Sequence, residues 1–146
     1  MDYGGHNSSF HDNIIVTKEN DAYSNCVGTG PFLPNATDAF NNNTCFVRNN
    51  INNKDSLYHY LGTPVVVGNV DSCDIEYFNL HDNVYATTTG NASFLCGEEM
   101  ISVDALARNI STIGDYDKAI MLPDDEILLK IVKDKVNEIF AAGEDK

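Results

Sequence analysis

His6-Asn7-Ser8-Ser9-Phe10-His11-Asp12-Asn13-Ile14-Ile15-Val16 and Asn42-Asn43-Thr44-Cys45-Phe46-Val47-Arg48-Asn49-Asn50-Ile51 share an order of side chains that decides how this chain is read. In both, an Asn-Ser/Thr turn leads to Phe, then to Asn three residues later, then to an apolar β-branched residue. A third stretch, Asp74 to Tyr85, keeps Asn83 and an apolar pair but is less similar upstream. The tripeptide His-Asp-Asn stands at 11–13 and again at 81–83. Asn13, Asn49 and Asn83 are therefore matched, 36 and then 34 residues apart.

Repeats of this size point to a solenoid. Helical solenoids do not fit, because the segments are β-branched and rich in Asn and Gly rather than Leu and Ala. Short strands fit: Phe10–Val16, Cys45–Ile51, Pro64–Val67, Ile75–Phe78, Val84–Thr87 and Ala92–Leu95. Gly28-Thr29-Gly30, Gly62-Thr63-Pro64, Gly68-Asn69 and Thr89-Gly90-Asn91 punctuate them. The expected architecture is a mainly β, parallel coil of about three turns, each stacked on the next at roughly 4.8 Å. Inward Phe, Ile and Val would form columns, and stacked Asn would form amide ladders that satisfy one another.

The character changes near residue 97. Ser102 opens a helical pattern through Asn109, with Met100, Val103, Leu106 and Ile110 at helical spacing. Pro123, Asp124, Asp125 and Glu126 then start a second helix, with acids at the positive end of its dipole. Ile127, Leu128, Ile131, Val132, Val136, Ile139 and Phe140 read as one apolar stripe, and Gly143 as the stop. The expected division is strand coils over 1–97 and a C-terminal capping segment over 98–146, with its amphipathic helix near 124–142. Such a helix is expected to cover an exposed end or side of the coil.

The chain has 146 residues and a formal net charge of −13, from nine Lys+Arg against 22 Asp+Glu. That balance leaves no footprint for nucleic acid or anionic lipid, and no apolar run approaches bilayer length. Asn accounts for 18 residues, and five of them open sequons: Asn7, Asn35, Asn42, Asn91 and Asn109. The four cysteines, Cys26, Cys45, Cys73 and Cys96, match no zinc-ligand spacing, so no metal ligands are assigned. Disulfides in an oxidising compartment are the preferred reading. Three connectivities are possible, and Cys26–Cys45 with Cys73–Cys96 is favoured among them. Sequons and cysteines together place the protein outside the cell or at its surface, carrying N-linked glycans. Residues 1–16 have neither a basic start nor an apolar core, so they do not read as a signal peptide.

The segments Gly5 to Val16, Asn25-Cys26-Val27-Gly28-Thr29-Gly30 and Asn41-Asn42-Asn43-Thr44-Cys45 resemble the late coils of right-handed parallel β-helix proteins of the pectate-lyase-like superfamily. The tail is similar too. His81-Asp82-Asn83-Val84-Tyr85, Thr89-Gly90-Asn91-Ala92, Cys96-Gly97 and Leu122-Pro123-Asp124-Asp125-Glu126 resemble the C-terminal end of secreted β-helix proteins of algae and aquatic eukaryotes. The resemblance implies a right-handed parallel β-helix with a C-terminal α-helical cap. It implies little about activity, since that superfamily includes lyases, hydrolases, epimerases and purely structural spikes. The first residues read as the middle of a coil. The chain is thus expected to be part of a longer β-helix, or to have its open face covered by another molecule, with end-to-end stacking into a filament as one outcome.

Matching Asn13, Asn49 and Asn83 sets Asp12, Arg48 and Asp82 in the adjacent column, a base between two acids. These are the candidate catalytic residues of a polysaccharide lyase or epimerase, with carboxylates holding Ca²⁺ or substrate and Arg48 abstracting a proton. The plainer reading, a charge ladder between neighbouring strands, is preferred, because few basic residues are present to hold an anionic sugar. His11 and His81 are read as exposed repeat residues rather than ligands, and Asp71, Asp74 and Glu76 as a solvated loop rather than a Ca²⁺ site. No cofactor is assigned, with Ca²⁺ kept as the alternative. The expected role is structural: an extracellular glycosylated module of an assembly or surface coat, with self-association. The alternatives are a piece of a carbohydrate-active enzyme or a module that binds polysaccharide.

Overall fold

The computed structural model describes residues 7–17, 26–29, 38–48, 65–67, 78–96, 99–109, 114–115 and 118–143. Phe10–Val16, read from the sequence as one strand, is two: β1 (Ser9–His11) and β2 (Ile14–Val16). Asp12 between them has φ of 60°, in the left-handed region that Asp and Asn tolerate best among non-glycine residues. The same break recurs twice. Asn42, at φ 54°, separates β4 (Asp38–Asn41) from β5 (Thr44–Val47). Asp82, at φ 60°, separates β7 (Phe78–His81) from β8 (Val84–Thr87). Each bend passes the chain from one sheet to another.

The first sheet has the order β1-β4-β7 and is parallel throughout. The second runs β2-β5-β8-β11, where β11 is Ala119–Met121, and is also parallel throughout. The third contains β3 (Val27–Thr29), β6 (Val65–Val67), β9 (Ser93–Cys96) and β10 (Glu99–Ser102). Its β3-β6-β9 pairs are parallel, but β10 turns back antiparallel on β9.

The expected right-handed parallel β-helix of about three coils is corrected by this arrangement. The described residues form two parallel sheets and one mixed sheet, and they do not close into a solenoid. The expectation rested on a uniform period near 35 residues. The residues that stack are instead Asn13, Asn43, Asn83 and Asp115, separated by 30, 40 and 32 positions. The connections between strands are therefore unequal in length. The antiparallel β9–β10 pair then ends the parallel run of its sheet.

Strand alternation gives the second sheet two apolar faces. Cys45, Val47 and Tyr85 point into one core with Phe40, Leu80, Ala92 and Val103. Phe46 and Ala86 point the other way, against Leu128 of α2 (Asp125–Gly143). Leu128 is buried, and Ile131 and Val132 pack beside it. Burying a side chain of this kind stabilises by about 1.5–3 kcal/mol. The stripe read from the sequence is narrower in place, because Ile127, Val136, Ile139 and Phe140 are exposed. Asp124 caps α2, accepting the Ile127 N–H at 2.9 Å. Arg48 ties that helix start to the end of β5, donating from Nη2 to Asp125 at 3.0 and 3.3 Å. The shorter helix α1 (Val103–Asn109) is capped by Ser102, whose Oγ accepts the Ala105 N–H at 3.2 Å.

A disulfide joins Cys26 to Cys45, with Cα atoms 6.1 Å apart. The companion pairing of Cys73 with Cys96 lies outside the described residues and side chains.

Candidate functional site

The left-handed bends set the next residue of each repeat in register, and those residues form one hydrogen-bonded column. The Asn13 N–H and Nδ2 donate to Asn43 Oδ1 at 3.0 and 2.9 Å. The Asn43 N–H and Nδ2 donate to Asn83 Oδ1 at 3.0 and 3.1 Å. The Asn83 N–H donates to Asp115 Oδ1 at 2.9 Å, and its Nδ2 to Asp115 Oδ2 at 2.8 Å. The bonds accepted by rung side chains therefore all run in one direction, and the column ends on a group with two acceptor oxygens. Amide hydrogens also bind backbone carbonyls, from Asn43 to Phe10 and from Asn83 to Phe40, at 3.1 and 2.7 Å.

Exposure falls along the column. Asn13 is exposed, while Asn43, Asn83 and Asp115 are buried. Burial pushes the Asp115 carboxyl above its ordinary value, and the hydrogen bonds from Asn83 and Tyr85 hold it back. Tyr85 donates its hydroxyl to Asp115 Oδ2 at 2.7 Å. Burial, with the Asp115 charge beside it, raises the phenol well above its ordinary range. The fourth strand passage reaches the column because Gly114 lies close to β7. Its N–H donates to the Leu80 carbonyl at 2.6 Å, and an added Cβ would meet His81 Cβ at 3.2 Å.

The residues proposed from the sequence for chemistry are placed apart. Asp12 and Asp82 do belong to one column, but the residue between them is Asn42, not Arg48. The Asn42 amide donates to Asp12 Oδ1, whereas Arg48 sits at the far end of β5 on Asp125. The expected Asp12–Arg48–Asp82 arrangement is thus corrected: the middle rung is Asn43 rather than Asn49, which puts Asn42 in the adjacent position. Asn49 itself lies outside the described residues. His11 Nδ1 bonds Asp12 Oδ2 at 2.5 Å, and His81 Nδ1 bonds Asp82 Oδ2 at 2.9 Å. Each histidine bond holds its neighbouring carboxyl below the ordinary value, aided at Asp12 by Asn42.

Among the described residues, no group of three or more His, Cys, Asp or Glu is placed to hold a metal ion. Asp71, Asp74 and Glu76 lie outside them. Also among the described residues, no helix is long and apolar enough to cross a membrane. Of the sequon asparagines, Asn7, Asn42, Asn91 and Asn109 are exposed, and Asn35 lies outside the described residues. The Asn109 amide donates to the Ala105 carbonyl at 2.8 Å.

Sequence reasoning missed Asn43, Tyr85 and Asp115. A signal for the first was present: Phe10, Phe40 and Leu80 each stand three residues before the stacking Asn, and Val16, Phe46 and Ala86 three residues after it. Asp115 shares no such flanking pattern. No protein-family model, no curated protein and no solved structure matches the chain.

Proposed function

We propose that this protein is an extracellular, N-glycosylated structural module that serves in an assembly or a surface coat. The observation that carries the reading is what its polar residues do. Asn43, Asn83, Tyr85 and Asp115 are engaged in one buried hydrogen-bond column, and Arg48 is held on the α2 start. These are the roles of a scaffold that specifies strand register. The Cys26–Cys45 disulfide adds support, since such bonds persist in oxidising compartments. The exposed Asn7, Asn42, Asn91 and Asn109 offer acceptors for glycan.

The test is intact mass of the chain directed into the secretory pathway of a eukaryotic host, before and after enzymatic glycan removal, with thiol titration. Glycan mass and a protected Cys26–Cys45 pair are expected. An unmodified chain with reactive thiols would overturn the compartment. Incubation with uronate polysaccharides, with and without Ca²⁺, is expected to give no new chain ends, and unsaturated products would overturn the scaffold role in favour of a lyase.

A further inference from the structure

The two ends of the amide column are chemically different. Asp115 closes one end: it accepts from Asn83 and Tyr85 and is fully buried. Asn13 stands at the other. Its amide hydrogens are engaged with the His11 carbonyl and Asn43 Oδ1. Its own Oδ1 receives no donor among the described residues, although Asn43 Oδ1 and Asn83 Oδ1 each receive two. Asn13 belongs to the bend between β1 and β2, which are edge strands of their sheets. The apolar columns end there as well. Phe10 is 55 % exposed while Phe40, its partner below, is 2 % exposed, and Val16 is 41 % exposed above the buried Phe46. Beside β2, a groove of about 250 Å³ runs between Ile14 and Val16 on one side and Val132, Val136 and Ile139 of α2 on the other.

We propose that this end takes up an extended strand from another polypeptide, running parallel to β1 and β2. Its required pattern is an apolar residue, two spacers, Asn, two spacers and an apolar residue. The reason is the direction of the column. A new rung must donate a backbone N–H and a side-chain N–H to Asn13 Oδ1, as Asn13 does to Asn43. Asn supplies both donors in that geometry, whereas Asp supplies only the backbone one and sets a carboxylate against a carbonyl oxygen. The apolar residues at −3 and +3 would cover Phe10 and Val16, as these cover Phe40 and Phe46 below. The residue before that Asn falls beside the Asp12 carboxylate, where a neutral amide is favoured over an acid. Main-chain pairing supplies affinity and the side chains supply selectivity, as in strand addition to an exposed sheet edge. The Asp115 end of a second copy does not qualify, because Asp115 is fully buried and its carboxylate oxygens accept rather than donate. The inference rests on the structural-module reading and names the partner such a module would take.

The probe is a synthetic peptide of residues 38–48 carrying C45S, which presents Phe40, Asn42, Asn43 and Phe46 in the required order. Its binding to the full chain is followed by calorimetry, with chemical-shift mapping on labelled protein. Saturable binding with shifts confined to β1, β2 and the facing side of α2 is expected. The same peptide with N43D is expected to bind about tenfold or more weakly, because one donor is lost and an acceptor put in its place. The full-length variant N13A, checked for folding by circular dichroism, is expected to lose that discrimination while remaining folded. Absence of saturable binding, equal binding of the N43D peptide, or shifts centred elsewhere would each overturn the proposal. Glycan and disulfide measurements do not depend on this peptide, so failure here is separable from failure of the scaffold reading.

Discussion

Replacing Asn83 by Ala tests the column where it is most deeply buried. Asn83 is fully buried and makes bonds upward, downward and to the main chain. The truncation removes the acceptor for the Asn43 N–H and the amide donor to Asp115 Oδ2. A buried donor left without a partner costs about 1–3 kcal/mol, and a hydrogen bond to a charged group contributes about 1.5–3 kcal/mol. The Asn83 N–H to Asp115 remains. The expected loss of unfolding free energy is therefore roughly 3–5 kcal/mol, a large part of the roughly 5–15 kcal/mol typical of a domain. Asn13→Ala is the internal control. It removes only amide donation to the His11 carbonyl and Asn43 Oδ1, from an exposed position where water replaces it, so its cost is expected below about 1 kcal/mol. Urea unfolding followed by circular dichroism reads both. With a denaturant slope of about 2 kcal/mol/M, Asn83→Ala lowers the midpoint by about 2 M. Equal midpoints for the two variants would refute the reasoning, since burial would then not govern the value of a rung.

Other perturbations separate the remaining contributions. Tyr85→Phe removes a bond that favours the ionised Asp115, whose carboxyl is already raised by burial. A raised acid contributes stability that is whole below the ordinary carboxylate value and is lost as pH rises through the folded value, so Tyr85→Phe is expected to cost more near pH 7 than near pH 4 in paired urea melts. Asp12 and Asp82 act in the opposite sense: their lowered values give stability that is present above the ordinary carboxylate range and is lost as pH falls through the folded values. Removing the Cys26–Cys45 link, which spans 19 positions, is expected to cost about 3 kcal/mol by loop entropy, read as a lower melting midpoint for C26S/C45S. Arg48→Ala is expected to cost less than about 1 kcal/mol and to be salt-sensitive, because Asp125 is 81 % exposed.

Part of this arrangement was legible in the residues. The C-terminal helix announced itself through Pro123, three acids and apolar residues at helical spacing, because helix periodicity and dipole chemistry are local. Stacking of Asn side chains was legible too, since the tripeptide His-Asp-Asn repeats. The register was not. Asn41, Asn42, Asn43, Asn49 and Asn50 all stand close to one another, and local similarity favoured Asn49, whereas packing of Phe40 on Phe10 selects Asn43. That error moved Arg48 into a column it does not enter. Asp115 was invisible for a different reason. Its neighbours share no apolar pattern with the other rungs, and its role depends on Gly114 coming close to β7. The apolar stripe of α2 is longer in sequence than in packing, because its outer residues extend past the surface of Phe46 and Ala86 that Leu128 covers.

The central claim is that the column from Asn13 to Asp115 sets strand register, with its stability rising toward the buried end. Residue-resolved hydrogen exchange of the backbone N–H groups of Asn13, Asn43 and Asn83 tests it most directly, because each of these groups donates to the side chain of the next rung. Protection is predicted to increase in that order, with Asn83 exchanging only through global unfolding. Rapid exchange at Asn43 and Asn83, at rates no slower than at Asn13, would contradict the account.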